Sequence, residues 1–267
     1  MPLTTLILLA LIQGVTEFLP VSSSGHLALF PALTAGPDQG LLLDVAVHVG
    51  TLAAVLIYFR AEVGRAALGG VHVLTGRLAT PEARLALMLA LATVPVVLAG
   101  LALHAADMTG IFRNVEVIAW AMIGFGLVLW AADRWGPQTR TAEGWTWGHA
   151  ALMGLAQALA LIPGTSRSGI TMTAARALGY ARTEAARLAL LMSIPTLAAA
   201  GLLAGRDLTA SGDPVLRADA ALAAGLSCLA ALAAVHLMMR MFRTWSMTPF
   251  VIYRLALGAA LLVWVHA

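Results

Sequence analysis

Two short polar stretches interrupt an otherwise apolar chain. The first, EFLPVSSSGH at 17–26, puts a carboxylate, three serines and a histidine within ten positions. The second, PGTSRSGIT at 163–171, sets an arginine among hydroxyls behind a Pro-Gly pair. Ser23 and His26 lie three apart and share a face if the segment is helical. A hydroxyl beside an imidazole is the arrangement of an activated nucleophile. Gln13 and Glu17 lie four apart, again on one face. A buried Glu17 demands a cation, a partner or a proton. In the second stretch the helix that follows Pro163 and Gly164 offers free N–H groups and a positive dipole end. Arg167 adds a forked, permanent charge suited to phosphate oxygens. Ser166, Ser168 and Thr171 supply further donors, and Ser22 does so in the first stretch. This many donors favours phosphate over carboxylate as the anion. Each residue also has a plainer reading. Hydroxyls in membrane helices often only bond helix to helix, which applies to Ser24 and Ser168. Arg167 could simply bridge to Glu17, and His26 alone would read as a packing histidine. The remaining histidines, His48, His72, His104, His149, His236 and His266, are scattered and receive no chemistry.

The elements that must bring these residues together are membrane helices. Of 267 residues, 60% are hydrophobic and 11% charged, against about 25% charged in a soluble domain. The chain is therefore predicted to be an all-α integral membrane protein. Its +3 charge comes from arginine, with no lysine, and does not imply nucleic acid. No charged segment precedes the first apolar run, so no cleavable signal peptide is expected. One cysteine, Cys228, excludes a disulfide framework. Apolar runs near the roughly 20 residues a span needs fall at 41–59, 85–103, 116–132, 186–205, 218–238 and 250–266. Two further apolar regions, 3–34 and 147–180, are broken by the two polar stretches into halves too short to cross. Irregular backbone at membrane depth survives only inside protein or beside water. Two re-entrant hairpins therefore fit better than two long kinked helices.

Orientation follows from arginine-rich connections. Arg60, Arg65, Arg77 and Arg84 lie in 60–84, Arg176, Arg182 and Arg187 in 176–187, and Arg240 and Arg243 in 239–249. The connections 104–115 and 206–217 are near neutral. With the basic connections cytoplasmic, the six spans alternate, one hairpin enters from outside, the other enters from the cytoplasm, and the two meet mid-bilayer. A shift of 144 residues superposes Gln13 on Gln157, Ser22 on Ser166, Ser24 on Ser168 and Gly25 on Gly169. The expectation is one membrane domain, 1–267, built of inverted repeats over approximately 1–132 and 133–267, an arrangement that forms polar sites at the midplane.

The two stretches together resemble a known family. QGVTEFLPVSSSGH at 13–26 looks like the (E/Q)GxTEFLPVSS(T/S)GH motif of bacterial undecaprenyl-diphosphate phosphatases, the bacitracin-resistance type. PGTSRSGIT looks like that family's PGxSRSGxT motif. The runs HVGTLAAVL at 48–56 and SIPTLAAAG at 193–201 extend the resemblance along the chain. The resemblance implies hydrolysis of undecaprenyl diphosphate to the monophosphate and inorganic phosphate, which recycles the lipid carrier of cell-wall synthesis and confers bacitracin resistance. It also implies a multi-pass protein of the bacterial plasma (inner) membrane, in contact with membrane lipid, with its site open to the periplasmic side. Catalytic weight falls on Glu17, Ser23, His26 and Arg167, with Ser22, Ser166, Ser168, Thr171 and Gln13 binding substrate. The family usually has glutamate at position 13 and depends on a divalent cation, Mg2+ or Ca2+. Glu17 and Gln13 are the matching metal candidates, although Gln13 brings no charge.

The mechanism expected is phosphoryl transfer driven by positioning and charge neutralisation. Arg167 holds the terminal phosphate and Glu17, with Gln13, holds the cation or orients the attacking group. Ser23 is the nucleophile with His26 as its base, or His26 itself or water attacks. A secondary transporter of lipid phosphates is the rival reading, since broken helices and a midplane anion site suit one equally. The sequence leaves a monomer and a homodimer both open.

Overall fold

The computed structural model describes residues 2–34, 40–106, 108, 114–210 and 213–267. Of the connections expected at 104–115 and 206–217, residues 107, 109–113, 211 and 212 lie outside the described residues. The described chain is helical, in the order α1 (Leu3–Thr16), α2 (Ser23–Thr34), α3 (Leu41–Tyr58), α4 (Arg60–Leu74), α5 (Pro81–Ala105), α6 (Val115–Trp135), α7 (Trp147–Ala158), α8 (Arg167–Ala177), α9 (Arg182–Ala210), α10 (Pro214–Met241) and α11 (Thr248–His266). Polar caps set the starts. Thr80 accepts from the Ala83 N–H at 3.1 Å ahead of Pro81, and Asp213 accepts from the Val215 N–H at 2.8 Å ahead of Pro214. Both follow the preference for a short polar cap with proline in the first turn.

All six expected spans are helices. Among the described residues α5, α6, α10 and α11 are each long and apolar enough to cross a membrane. The pair α3 and α4 meets that test only when its two parts are taken together, because it bends by 95° between Tyr58 and Arg60. This corrects one expectation. The segment 60–84 is not a loop throughout, since 60–74 is helical. Phe59, at φ −102° and ψ 32°, breaks the helix there. The chain then resumes as an amphipathic helix carrying Arg60, Glu62 and Arg65 beside Val63, Ala66 and Val71. Packing on α5 supports it.

The broken regions lie where the polar stretches fall. α1 and α2 have 14 and 12 residues, α7 and α8 have 12 and 11. At 1.5 Å per residue each reaches about 17–21 Å, short of a bilayer's roughly 30 Å core. Within each pair the two helices pack on each other. Each pair also leans on the other half of the chain: α1 lies along α10, and α7 along α5. Gly14 and Gly154 make these approaches possible. A Cβ on Gly14 would stand 2.6 Å from the Ser227 carbonyl oxygen, and one on Gly154 2.6 Å from that of Ala92. Close backbone approach at small residues is the usual device of membrane helix packing. At one end of the bundle Arg176, fully buried, donates to Asp133 at 3.0 Å and to the carbonyls of Gly136, Pro137 and Tyr180. Asp133 also accepts from Arg182 at 2.7 Å and from the Met247 N–H at 2.9 Å. That cluster ties the ends of α6, α8, α9 and α11 together.

Candidate active site

α1 stops at Thr16, and six residues, 17–22, carry the chain to α2. Phe18 and Val21 plunge into the main apolar core and peg the turn. Ser22 then adopts φ 75°, a left-handed conformation that costs a non-glycine residue energy. Its hydroxyl accepts from the Gly25 N–H at 3.3 Å and caps α2. The second break repeats this device. Ser166 sits at φ 70° and its hydroxyl accepts from the Gly169 N–H at 3.0 Å, capping α8. The residues paired by the 144-residue shift thus share a backbone conformation and a capping bond. Ser22 and Ser24 hydroxyls lie 3.3 Å apart, and those of Ser166 and Ser168 3.2 Å apart.

Arg254, a lone charge on α11, holds both breaks. It is fully buried. Its Nη1 donates to the carbonyls of Pro20 (3.3 Å) and Thr165 (2.9 Å), its Nη2 to those of Gly164 (3.0 Å) and Ala121 (3.3 Å), and its Nε to that of Met122 (3.1 Å). Those five contacts use all five N–H groups a guanidinium possesses. Ser168 completes the join, donating across to the carbonyls of Leu19 at 3.0 Å and Glu17 at 3.3 Å. The first residues of α8 therefore abut the break between α1 and α2.

At that junction Glu17, 6% exposed, is the hub. One carboxylate oxygen accepts from Arg167 Nη2. The other accepts from the Ser23 hydroxyl at 2.5 Å and from Gln13 Nε2 at 2.8 Å, with His48 Nε2 at 3.6 Å. Arg167 also reaches the Ser193 carbonyl at 3.4 Å through Nη1. These contacts occupy two of its five N–H groups, which leaves donors for phosphate oxygens. The opposite side is open: Ser24 and Tyr253 are exposed, Ser23 and His26 half-buried.

The structure brings Gln13, Glu17, Ser23 and Arg167 together and rearranges three expectations. Ser23 bonds to Glu17 and not to His26. Ser23 is the first residue of α2, so its side chain turns back toward α1. The nitrogens of His26 are engaged elsewhere, Nδ1 with the Ser22 carbonyl at 2.7 Å and Nε2 with the Tyr253 hydroxyl at 2.5 Å. Arg167 makes the bridge to Glu17 that was the plainer of its two readings, across 150 positions of the chain. Thr171 spends its hydroxyl on its own helix, donating to the carbonyls of Arg167 at 2.8 Å and Ser168 at 3.1 Å, so it cannot donate to substrate without breaking them. Ser166 and Ser168 act first as cap and cross-link. Sequence reasoning missed His48, Tyr253 and Arg254. The first could have been found, since it opens the HVGTLAAVL run.

Comparison with known proteins decides what this junction belongs to. The family profile described as bacitracin resistance protein BacA matches residues 6–260. The chain belongs to the BacA family. Relatives named undecaprenyl-diphosphatase include proteins from Roseobacter denitrificans, 56% identical over 267 residues and all of both chains, Dinoroseobacter shibae, 57% over 263 residues, and Maricaulis maris, 48% over 266 residues. The latter two alignments cover at least 98% of each chain. Both BacA-like stretches lie inside the matched region, so their meeting at Glu17 is a feature of the BacA part of the chain and not of an appended segment.

The divalent cation implied by the resemblance does not fit these BacA residues as they stand. Mg2+ and Ca2+ require several oxygen ligands. Glu17 has both oxygens bonded, one of them to a cation. Gln13 donates its Nε2 to Glu17, and its Oε1, buried without a partner, brings at most one neutral oxygen. No group of three metal-binding side chains exists among the described residues.

Proposed function

We propose that the chain hydrolyses undecaprenyl diphosphate to undecaprenyl phosphate and inorganic phosphate. The observation that carries this is the Ser23–Glu17–Arg167 relay: a nucleophile on its base, beside a guanidinium with donors to spare. The shared name of the relatives supports the phosphatase over the transporter. Arg167 and the N-terminal N–H groups of α8 hold the terminal phosphate. Ser23 Oγ attacks that phosphorus as its proton passes to Glu17. The bond from phosphorus to the bridging oxygen breaks and undecaprenyl phosphate leaves. A water oxygen then bonds the phosphorus, the P–Oγ bond breaks and one water proton returns to Oγ. The proton on Glu17 leaves with the phosphate. Positioning and charge stabilisation supply most of the catalysis. His26 and Tyr253, on the exposed side, brace the Ser22–Ser23 turn.

The finer setting is part of the same reading. The protein lies in the bacterial inner membrane with this exposed side toward the periplasm, because the arginine-rich connections mark the opposite end as cytoplasmic. The prenyl chain runs between helices in contact with lipid. The halves 1–132 and 133–267 are inverted repeats, a reading supported by the twin conformations of Ser22 and Ser166 and by the crosswise packing of α1 and α7. Nothing in the mechanism requires a second copy of the chain.

The test is phosphate release from the purified, detergent-solubilised protein given undecaprenyl diphosphate. Release by the wild type and its loss in Arg167→Ala are expected. A folded wild type that releases none would refute the reading and restore the transporter.

A further inference from the structure

A lipid diphosphate carries two phosphates, and the junction at Glu17 accounts for one of them. Arg167 and the N–H groups of α8 take the terminal phosphate, which leaves the phosphate bonded to the prenyl chain without a partner. Tyr253 of α11 stands on the open side, 43% exposed, against His26 of α2. Their rings stack with centroids 5.7 Å apart and planes 8° from parallel. His26 lies one helical turn beyond Ser23, the residue that attacks the terminal phosphorus. Ile252 and Ala256, beside Tyr253 on α11, are also exposed and give that helix an apolar outer face. A substrate with its terminal phosphate on Arg167 and its tail along this face carries its inner phosphate past the Tyr253 hydroxyl.

The direction of two hydrogen bonds fixes what Tyr253 offers there. The Ser22 carbonyl only accepts, so its 2.7 Å contact puts the hydrogen of a neutral His26 on Nδ1. Nε2 then holds the lone pair and accepts from the Tyr253 hydroxyl at 2.5 Å. The single hydrogen of the phenol is spent, and the open side meets only oxygen lone pairs, which repel phosphate. A proton added to His26 reverses this. Nε2 becomes a donor, the phenol oxygen accepts from it, and the Tyr253 hydrogen turns to the open side. The other charges around α2 are committed. Glu17 is held by Arg167 and Ser23, with His48 of α3 beside it. Arg254 of α11 is spent on carbonyls. Glu116, in the first turn of α6, makes no ion pair with His26. The charge that draws a proton onto His26 is therefore the substrate's own.

We infer that Tyr253 is a further catalytic residue: with a protonated His26 behind it, its hydroxyl donates to the lipid-side phosphate and stabilises the charge that develops there as the bridging bond breaks. The inference rests on the proposed phosphatase reading for what occupies the site. Binding moves one proton from water onto His26, and no covalent bond forms at Tyr253. When undecaprenyl phosphate leaves, that proton returns to water and the Tyr253 hydrogen to Nε2. The experiment uses the full chain in detergent with undecaprenyl phosphate as ligand. Nitrogen-15 NMR of labelled histidine, with the His26 signal assigned by its loss in His26→Gln, should show Nδ1 alone protonated without ligand and both nitrogens protonated at saturation. Tyr253→Phe keeps the stacked ring and loses the donor. Binding is compared at about pH 6 and about pH 8, which bracket the titration of an ordinary imidazole. The variant should bind roughly tenfold more weakly than the wild type at the lower pH, narrowing to about twofold at the higher, where the proton is harder to acquire. The ligand's own titration cancels in that ratio. Phosphate release by Tyr253→Phe should fall by about 10²-fold in kcat. A His26 protonation state unchanged by ligand, a ratio equal at both pH values, wild-type binding by the variant, or no binding by the wild type would each overturn the inference. A wild type that shows this signature and releases no phosphate would refute the proposed function and leave the Tyr253 site standing. A wild type that releases phosphate no faster than Tyr253→Phe would overturn this inference alone.

Discussion

The bond between Ser23 and Glu17 makes a prediction opposite to that of a serine–histidine pair. Glu17→Gln keeps the size of the side chain but removes its charge. Its amide can keep an oxygen toward Arg167, but its NH2 then faces Ser23 and the Nε2 of Gln13, now donor against donor. The acceptor for Ser23's proton, 2.5 Å away in the wild type, is gone. A positioned general base is worth about 10²–10⁴ in rate, so kcat should fall by about 10³, or roughly 4 kcal/mol at 1.36 kcal/mol per decade. Ser23→Ala should cost at least as much. If the two act as a unit, Glu17→Gln/Ser23→Ala should be no slower than the worse single variant, because the second change removes nothing further. Ser23→Ala/His26→Ala should multiply its losses, since His26 bonds Ser22 and Tyr253 instead. The assay is phosphate release from undecaprenyl diphosphate under saturating substrate, with all five proteins checked for folding. Multiplying losses in the first cycle and none beyond the worse single variant in the second would refute the relay and make His26 the base.

Three further outcomes are expected. Arg254→Met strips donors from the carbonyls of Pro20, Gly164 and Thr165; it should lower Tm and reduce kcat by about 100-fold through misplacement of both breaks, with Arg254→Lys intermediate, and wild-type turnover in the methionine variant would end the positioning role. Gln13→Glu places a second carboxylate against Glu17, where one must take up a proton or both must share a cation. Its activity should rise with Mg2+ or Ca2+ and fall with chelator more steeply than the wild type's, whereas superimposable metal titrations would show that residue 13 only orients Glu17. Gly154→Ala forces a Cβ to 2.6 Å from the Ala92 carbonyl oxygen and should cost about 1–3 kcal/mol, read as a lower Tm; an unchanged Tm would mean α7 moves off α5 without penalty.

The helix breaks were legible because proline, glycine and serine at membrane depth leave a regular helix few ways to continue. The spans were legible from apolar length alone. The α4 helix was not, because Arg60, Arg65, Glu62 and the glycines of 60–74 read as a solvated loop, and only the helical spacing of Val63, Ala66, Ala67 and Val71 betrayed it. Arg254 was invisible for a different reason. Its five partners are backbone carbonyls, which carry no residue-type signature, although a lone arginine in the apolar helix FVIYRLAL is itself an anomaly that asks for a partner. Counting three residues from Ser23 to His26 assumed that both were mid-helix. The left-handed Ser22 and the helix start at Ser23 turn that hydroxyl toward the preceding helix, and spacing alone does not encode it.

The crosswise packing of α1 on α10 governs when during synthesis the enzyme comes into being. α1 leaves the ribosome well before its partner, since the surface it docks on does not begin until residue 214. At about 5–20 residues per second roughly 10–40 s separate the two. Over most of that interval Glu17 sits in the membrane without Arg167, and the residue that clamps both breaks, Arg254, arrives last of all. A chain cut short between α8 and α11 carries every member of the Ser23–Glu17–Arg167 relay and still lacks the clamp that aligns them. Activity is therefore a property of the finished polypeptide, and a truncated product left in the bilayer is inert toward the lipid carriers around it.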